Sequence, residues 1–201
     1  MNSMKYSDAG FTGLEAAIVL IAFVVVAAVF SYVVLGAGFF TTQKSQQVVH
    51  TGVQQASSTL EVAGSVYGVD ISYDIDELDT INFSLALAPG GTPVDFDKVV
   101  LTYSNSSEVM TLQYQGFLEA GYGGSGTSIG PGEWAVATVE HDVGTHNHLL
   151  ESGEIFDIMA MPPDGIYPND EINLEIKPAV GPSLLITRKM PGWLNTVNVL
   201  S

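Results

Sequence analysis

The feature that most constrains this chain is an uncharged run of 28 residues, Ala16 to Gln43, bounded by Glu15 and Lys44. Val, Ile, Ala and Phe dominate it, and Gly36 and Gly38 come late in it. As a helix the run is about 42 Å long at ~1.5 Å per residue, more than the ~30 Å of a hydrocarbon core. A helix that is apolar on every side has to lie in lipid or among other helices. A secretory signal peptide fits poorly, because its apolar stretch is only about 7–15 residues long, with positive charge before it and a cleavage site after it. Two details are unusual for a plain anchor. Gly10 stands just ahead of the run, and Glu15 sits in its first turn.

Beyond Lys44 the sequence KSQQVVHTGVQQASSTLEVAGSVY keeps a helical pattern. Val49, Val53, Ala56, Leu60, Ala63 and Tyr67 recur at spacings of four and three, with Gln, Ser, Thr and Glu between them. Such a seam suits packing against other helices. The first proline is Pro89, and Gly52 and Gly64 are the interruptions. The spacing therefore predicts one helix from about residue 11 to about 64, within a segment bounded at 11–67.

After Gly68 the apolar period changes from 3.6 to 2. TINFSLAL places Ile81, Phe83, Leu85 and Leu87 on one face and Asn82, Ser84 and Ala86 on the other. Further strand candidates are DKVVLTYS, EVMTLQYQG, GEWAVATVEH, GEIFDIMAM, DEINLEIKP and PSLLITRKM. They are separated by turn-forming sequences such as PGG, SNSS, GPGE and PPDG. Seven or eight short strands predict an all-β, immunoglobulin-like sandwich over 68–201, lacking the Cys–Trp–Cys signature. Phe83, Phe96, Trp134 and Phe156 are expected in its core, and EAGYGGSGTSIGPGE (Glu119 to Glu133) as a long loop. The fold class is α+β: a long apolar N-terminal helix followed by a β-sandwich.

Charge narrows the function. The 201 residues carry 22 acids and 6 bases, a formal net charge of −16. The two acids and two bases before Glu61 cancel, so the β-region carries all of it. That surface repels phosphate backbones, which excludes nucleic acid as a partner. With no cysteine, disulfides and thiolate metal sites are excluded as well. No Gly-x-Ser-x-Gly, no Walker loop and no His-Glu-x-x-His occurs, so nothing points to an enzyme or a cofactor.

The N-terminal sequence GFTGLEAAIVLIAFVVVAAV, from Gly10, resembles that of archaeal flagellins (archaellins), which share a type IV pilin-like leader and helix. INFSLALAPGGTPVDFDKVVLTYS resembles their strand–turn–strand segment, and SGEIFDIMAMPPDGIYPNDEINLEIKPAVGPSLLITRKMPGWL their closing strands. The resemblance implies a structural subunit that polymerises through its helix into the archaellum filament for swimming. It implies a precursor in the cell membrane, and filament assembly machinery as a partner. A prepilin-type aspartic peptidase would remove residues 1–10, cutting after Gly10 to leave Phe11 as the new N-terminus, with Gly13 keeping the first turn slender. Relatives generally place Lys or Arg immediately before the cleaved glycine; here Ala9 precedes it, and Lys5 is the one base of the leader. Glu15, fifth from Phe11, matches the acid of bacterial type IV pilins, and an i, i+4 spacing puts it within reach of a new α-ammonium. The alternatives are an adhesion filament of type IV pilin-like subunits and a single-pass anchored binding domain.

Asn82 (Asn-Phe-Ser) and Asn105 (Asn-Ser-Ser) match the N-glycosylation pattern, and both are expected to be accessible. EHDVGTHNH brings His141, His146 and His148 near Glu140 and Asp142. At a hairpin tip this reads as a solvated turn rather than a metal site. DIDELD, Asp74 to Asp79, lacks the Gly and terminal Glu of an EF-hand loop. No metal is therefore assigned.

Overall fold

The computed structural model describes residues 8–57, 59–72, 77–122, 124, 128–144 and 146–200, with only the backbone at 8–12, 54, 56 and 57. The chain forms two compact units, residues 1–51 and 52–201.

Helix α1 runs from Asp8 to Ser57. It begins before Gly10, so the leader boundary expected after that residue is not a break in the backbone, and residues 1–7 lie outside the described residues. It also ends well short of residue 67, which corrects the expected boundary. The sequence GlnGlnAlaSerSerThr at 54–59 is polar, and Ser and Thr bond to nearby backbone in competition with the helix. Thr59 already accepts a hydrogen bond across the sheet, from Ala88 N at 3.0 Å. The last three apolar seam positions therefore belong to extended chain. Leu60–Val62 forms strand β1 and Val66–Val69 forms β2, with Gly64 between them in the left-handed region (φ +100°). A four–three spacing suits two short strands and a turn as well as it suits a helix.

The remaining strands are β3 (Thr80–Leu87), β4 (Val94–Asp95), β5 (Val100–Ser104), β6 (Val109–Phe117), β7 (Glu133–Glu140) and β8 (Leu149–Leu150). They continue with β9 (Ile155–Met161), β10 (Glu171–Lys177), β11 (Leu184–Lys189) and β12 (Val197–Leu200). All seven strands expected from period-two patterning are present. The main path runs β11-β10-β5-β6-β7-β9-β3-β2-β12, with β1 on β3, while β4 and β8 pair separately. All pairings are antiparallel except β6–β7. Between Tyr114 and Phe117 that pairing slips by a bulge, where Gly116 takes a left-handed φ of +88°.

Register aligns the apolar faces. Ile81, Phe83 and Leu85 of β3 lie opposite Ala160, Ile158 and Phe156 of β9. On the other half, Tyr103 and Leu101 of β5 lie opposite Leu174 and Ile176 of β10. These residues are buried in one hydrophobic cluster that joins both halves of the path, as a sandwich requires. At its centre Phe156 packs edge-on against Phe96 (centroids 4.8 Å apart) and Phe117 (5.4 Å), and Trp134 meets Phe96 at 6.4 Å. The four aromatic residues expected in the core are all buried.

Candidate assembly site

The residues that decide what this chain does are those of α1. From Gly13 to Val53 the helix is long and apolar enough to cross a membrane, and among the described residues its most apolar window is unburied. Leu14, Ile18, Ile21, Phe23, Phe30 and Tyr32 all stand exposed, as do most of the other large side chains along it. At roughly 25 cal/mol per Å² of apolar surface, exposing such a length to water is strongly unfavourable. The helix has to be covered by lipid or by neighbours.

Its few polar groups are matched to that setting. Thr41 Oγ1 donates to Ala37 O (2.8 Å), Thr42 Oγ1 to Gly38 O (2.9 Å) and Thr51 Oγ1 to Gln47 O (2.9 Å). Each hydroxyl is satisfied within the helix and asks nothing of water. Gly38 and Thr42 lie with Ser31 in a shallow groove flanked by Phe30 and Phe39. Small residues beneath a large-residue rim let a second helix approach closely. Gly13 has nothing within 4 Å of where a Cβ would stand, so the first turns are slender on that side. Glu15 is exposed there. Gly10 and Phe11 are helical in backbone, and their side chains lie outside the described residues.

The two sequon asparagines differ in setting. Asn105 lies in the β5–β6 turn, where its Oδ1 accepts from Ser107 N and Glu108 N, both at 2.8 Å. The side-chain carbonyl thus fastens the turn, while among the described residues Nδ2 reaches only the Tyr103 hydroxyl at 3.4 Å. Asn82 sits mid-strand with Tyr67 opposite it on β2 and Met159 on β9. Its Oδ1 is buried and has no hydrogen-bond partner among the described residues. Alternation turns Asn82 away from the core, and the neighbouring strands leave it half-buried.

The three histidines go separate ways. His141 is in the left-handed region (φ 58°), His146 Nδ1 lies 3.2 Å from Asp142 Oδ2, and His148 Nδ1 lies 2.9 Å from Asp97 Oδ1. His148 also stacks on Phe117 at 4.4 Å. Of the DIDELD stretch, Glu77, Leu78 and Asp79 are described; Asp79 Oδ2 accepts from Ile71 N (2.6 Å) and Ser72 N (2.7 Å). Among the described residues no three His, Asp or Glu side chains converge as a ligand set.

A long uncovered apolar helix joined to an acidic β-sandwich defines a class: a subunit whose fold is completed by other molecules. Comparison with known proteins places it within that class. The archaeal-type flagellin family model matches residues 10–188. Probable flagellin 1 of Archaeoglobus fulgidus is 39% identical over 96% of both chains. The archaeal flagellum of Methanospirillum hungatei strain JF1 is similar at a TM-score of 0.68 and 33% identity, over 94% of this chain and 99% of that one. The crystal structure of archaeal flagellin FlaB1 from Methanocaldococcus jannaschii, at 18% identity and a TM-score of 0.55, shares the fold over 70% of this chain and 95% of its own. The chain belongs to the archaeal-type flagellin family and is a structural filament subunit.

Proposed function

We propose that the chain is inserted in the cell membrane as a precursor, loses residues 1–10, and polymerises through α1 into an archaellum filament whose rotation moves the cell. The observation that carries this is the helix from Gly13 to Val53, long and apolar enough to cross a membrane, with large apolar side chains standing exposed from Leu14 to Phe40. Lipid covers it before assembly and copies of itself cover it afterwards. Both surroundings are apolar, so packing between helices sets the direction of transfer.

An aspartic peptidase of the prepilin type, acting after Gly10, is the partner that releases the subunit. Glycine is a poor helix former, and Gly10 and Gly13 lie within one turn of each other, so the backbone opens there at low cost. The new α-ammonium on Phe11 is then one turn from Glu15. In a dry bundle that carboxylate needs a cation, and the ammonium of its own or a neighbouring subunit supplies it. Assembly machinery and a motor are separate proteins, and this chain needs no active site, cofactor or metal of its own.

Of the two sequons, Asn105 is the better glycan acceptor, because its turn is open and its amide nitrogen is only weakly engaged. The processing step is tested by incubating membranes that hold the precursor with the peptidase. A mass loss equal to residues 1–10 is expected. An unchanged mass favours a permanent single-pass anchor.

A further inference from the structure

The last strand is built the wrong way round for an edge that faces water. β12 ends the strand path, and along it Val197 and Val199 point outward, 56% and 63% exposed, while Asn198 and Leu200 point inward. The inward asparagine is satisfied. Its Oδ1 accepts from Asn195 N at 3.0 Å, and its Nδ2 donates to Asn195 O. A slip of one residue against β2 would turn Leu200, 3% exposed, out of the core, so this register, with valines outward, is specified. Val199 stands opposite Tyr67 of β2, itself 40% exposed. Ahead of the strand Trp193 is 79% exposed and, with Pro168, Leu194 and Val197, walls a groove of about 690 Å³.

Free edges are ordinarily blunted by lysine, proline or a bulge. β12 has none of these. The sequence from Met190 to Leu200, MPGWLNTVNVL, carries no charge, although residues 61–201 hold the whole net −16. In a filament of identical subunits every neighbour brings the same acidity, and like charges disfavour contact wherever acids face one another. The uncharged edge is where two copies approach with least repulsion. Tryptophan and tyrosine are also the side chains that most often anchor an interface.

We propose that the β12 edge, with Trp193 as anchor and Val197, Val199 and Tyr67 beside it, is a contact through which the β-domain of one subunit is covered by a second copy of this chain. This rests on the family's filament function and adds a contact outside the helices. The experiment starts from intact filaments sheared from cells, so a failure of the filament reading appears at collection, before the edge itself is tested.

Only two tryptophans are present, and Trp134 is buried within its own domain at 2% exposure. Acrylamide quenching of intact filaments therefore reports on Trp193. Emission that stays unquenched is expected; loss of the Trp193 share of the emission would overturn the proposal. The occupant is identified by Val199→Cys labelled with a maleimide benzophenone, the chain having no other cysteine. Photolysis should give bands at whole multiples of the subunit mass, beginning at twice. Only monomer, or a band that is not a whole multiple, would overturn it. Trp193→Ala provides the energetic test. Because that side chain packs so little on its own domain, the variant should keep the unfolding temperature of the domain yet lower the temperature at which filaments dissociate. Filaments of unchanged dissociation temperature would contradict the assignment.

Discussion

His148 and Asp97 are 51 residues apart in sequence, yet the imidazole Nδ1 lies 2.9 Å and 3.0 Å from the two carboxylate oxygens. The other ring nitrogen, Nε2, lies 3.2 Å from the carbonyl of Tyr122. Both nitrogens face acceptors, an arrangement the doubly protonated ring satisfies best. Hydrogen bonding to Asp97 accordingly raises the His148 pKa above its ordinary 6.5; burial opposes the rise, and the Tyr122 carbonyl and the charge of Asp95 add to it. A group whose pKa is raised in the folded state stabilises fully below its unfolded value and loses that contribution as pH rises through the folded one. Thermal unfolding of the β-domain should therefore show a contribution at about pH 5.5 that fades by about pH 9, and Asp97→Asn should remove it. Both side chains are substantially exposed, so the effect is small. An equal difference between wild type and variant at both pH values would contradict the assignment.

Phe156 is the centre of the aromatic core, fully buried between Phe96 and Phe117. Phe156→Ala should destabilise the β-domain by about 3–5 kcal/mol, since it removes transfer energy and leaves a cavity. Chemical denaturation of the domain measures it. A loss below about 1 kcal/mol would mean that the core is not organised around this ring.

Much of this fold is legible in the sequence. The uncharged run fixes the helix, and seven strands follow from period-two alternation because each has one buried and one wetter face. The five strands that escape it, β1, β2, β4, β8 and β12, have two to four residues each, too few to establish a period. The helix end escapes for another reason. Leu60, Ala63 and Tyr67 satisfy a helical seam in one dimension, and only the pairing of β1 with β3 shows which structure wins. Local alternation places Asn82 outward, but the crowding by Tyr67 and Met159 depends on strand order. The exposure of Trp193 has no sequence signal, for an aromatic near closing strands reads as core.

The pairing proposed for Glu15 requires cleavage after Gly10, which would free the Phe11 α-ammonium one turn away. Glu15→Gln keeps size and hydrogen bonding but not charge, so it should depress filament assembly about as much as Glu15→Ala does. Swimming and filament yield in cells carrying each variant provide the measurement. Wild-type filaments from either variant would remove the pairing role.

The glycan assignment separates the two sequons. Ser107→Ala abolishes the Asn105 sequon while leaving the Asn105 carbonyl on its two backbone amides. Intact mass of filament subunits should fall by the whole glycan in that variant and stay constant in Ser84→Ala, which abolishes the Asn82 sequon. A drop confined to Ser84→Ala would reverse the assignment, and native subunits of unmodified mass would dismiss it.

One helix is proposed to serve first as a membrane span and then, freed of its leader, as the assembly element of a filament. N-terminal sequencing of the main subunit band from filaments sheared off the cell surface tests it most directly. A sequence starting at Phe11 is predicted. A start at Met1 or Met4 would contradict the account, because the leader would then still block the assembled helix.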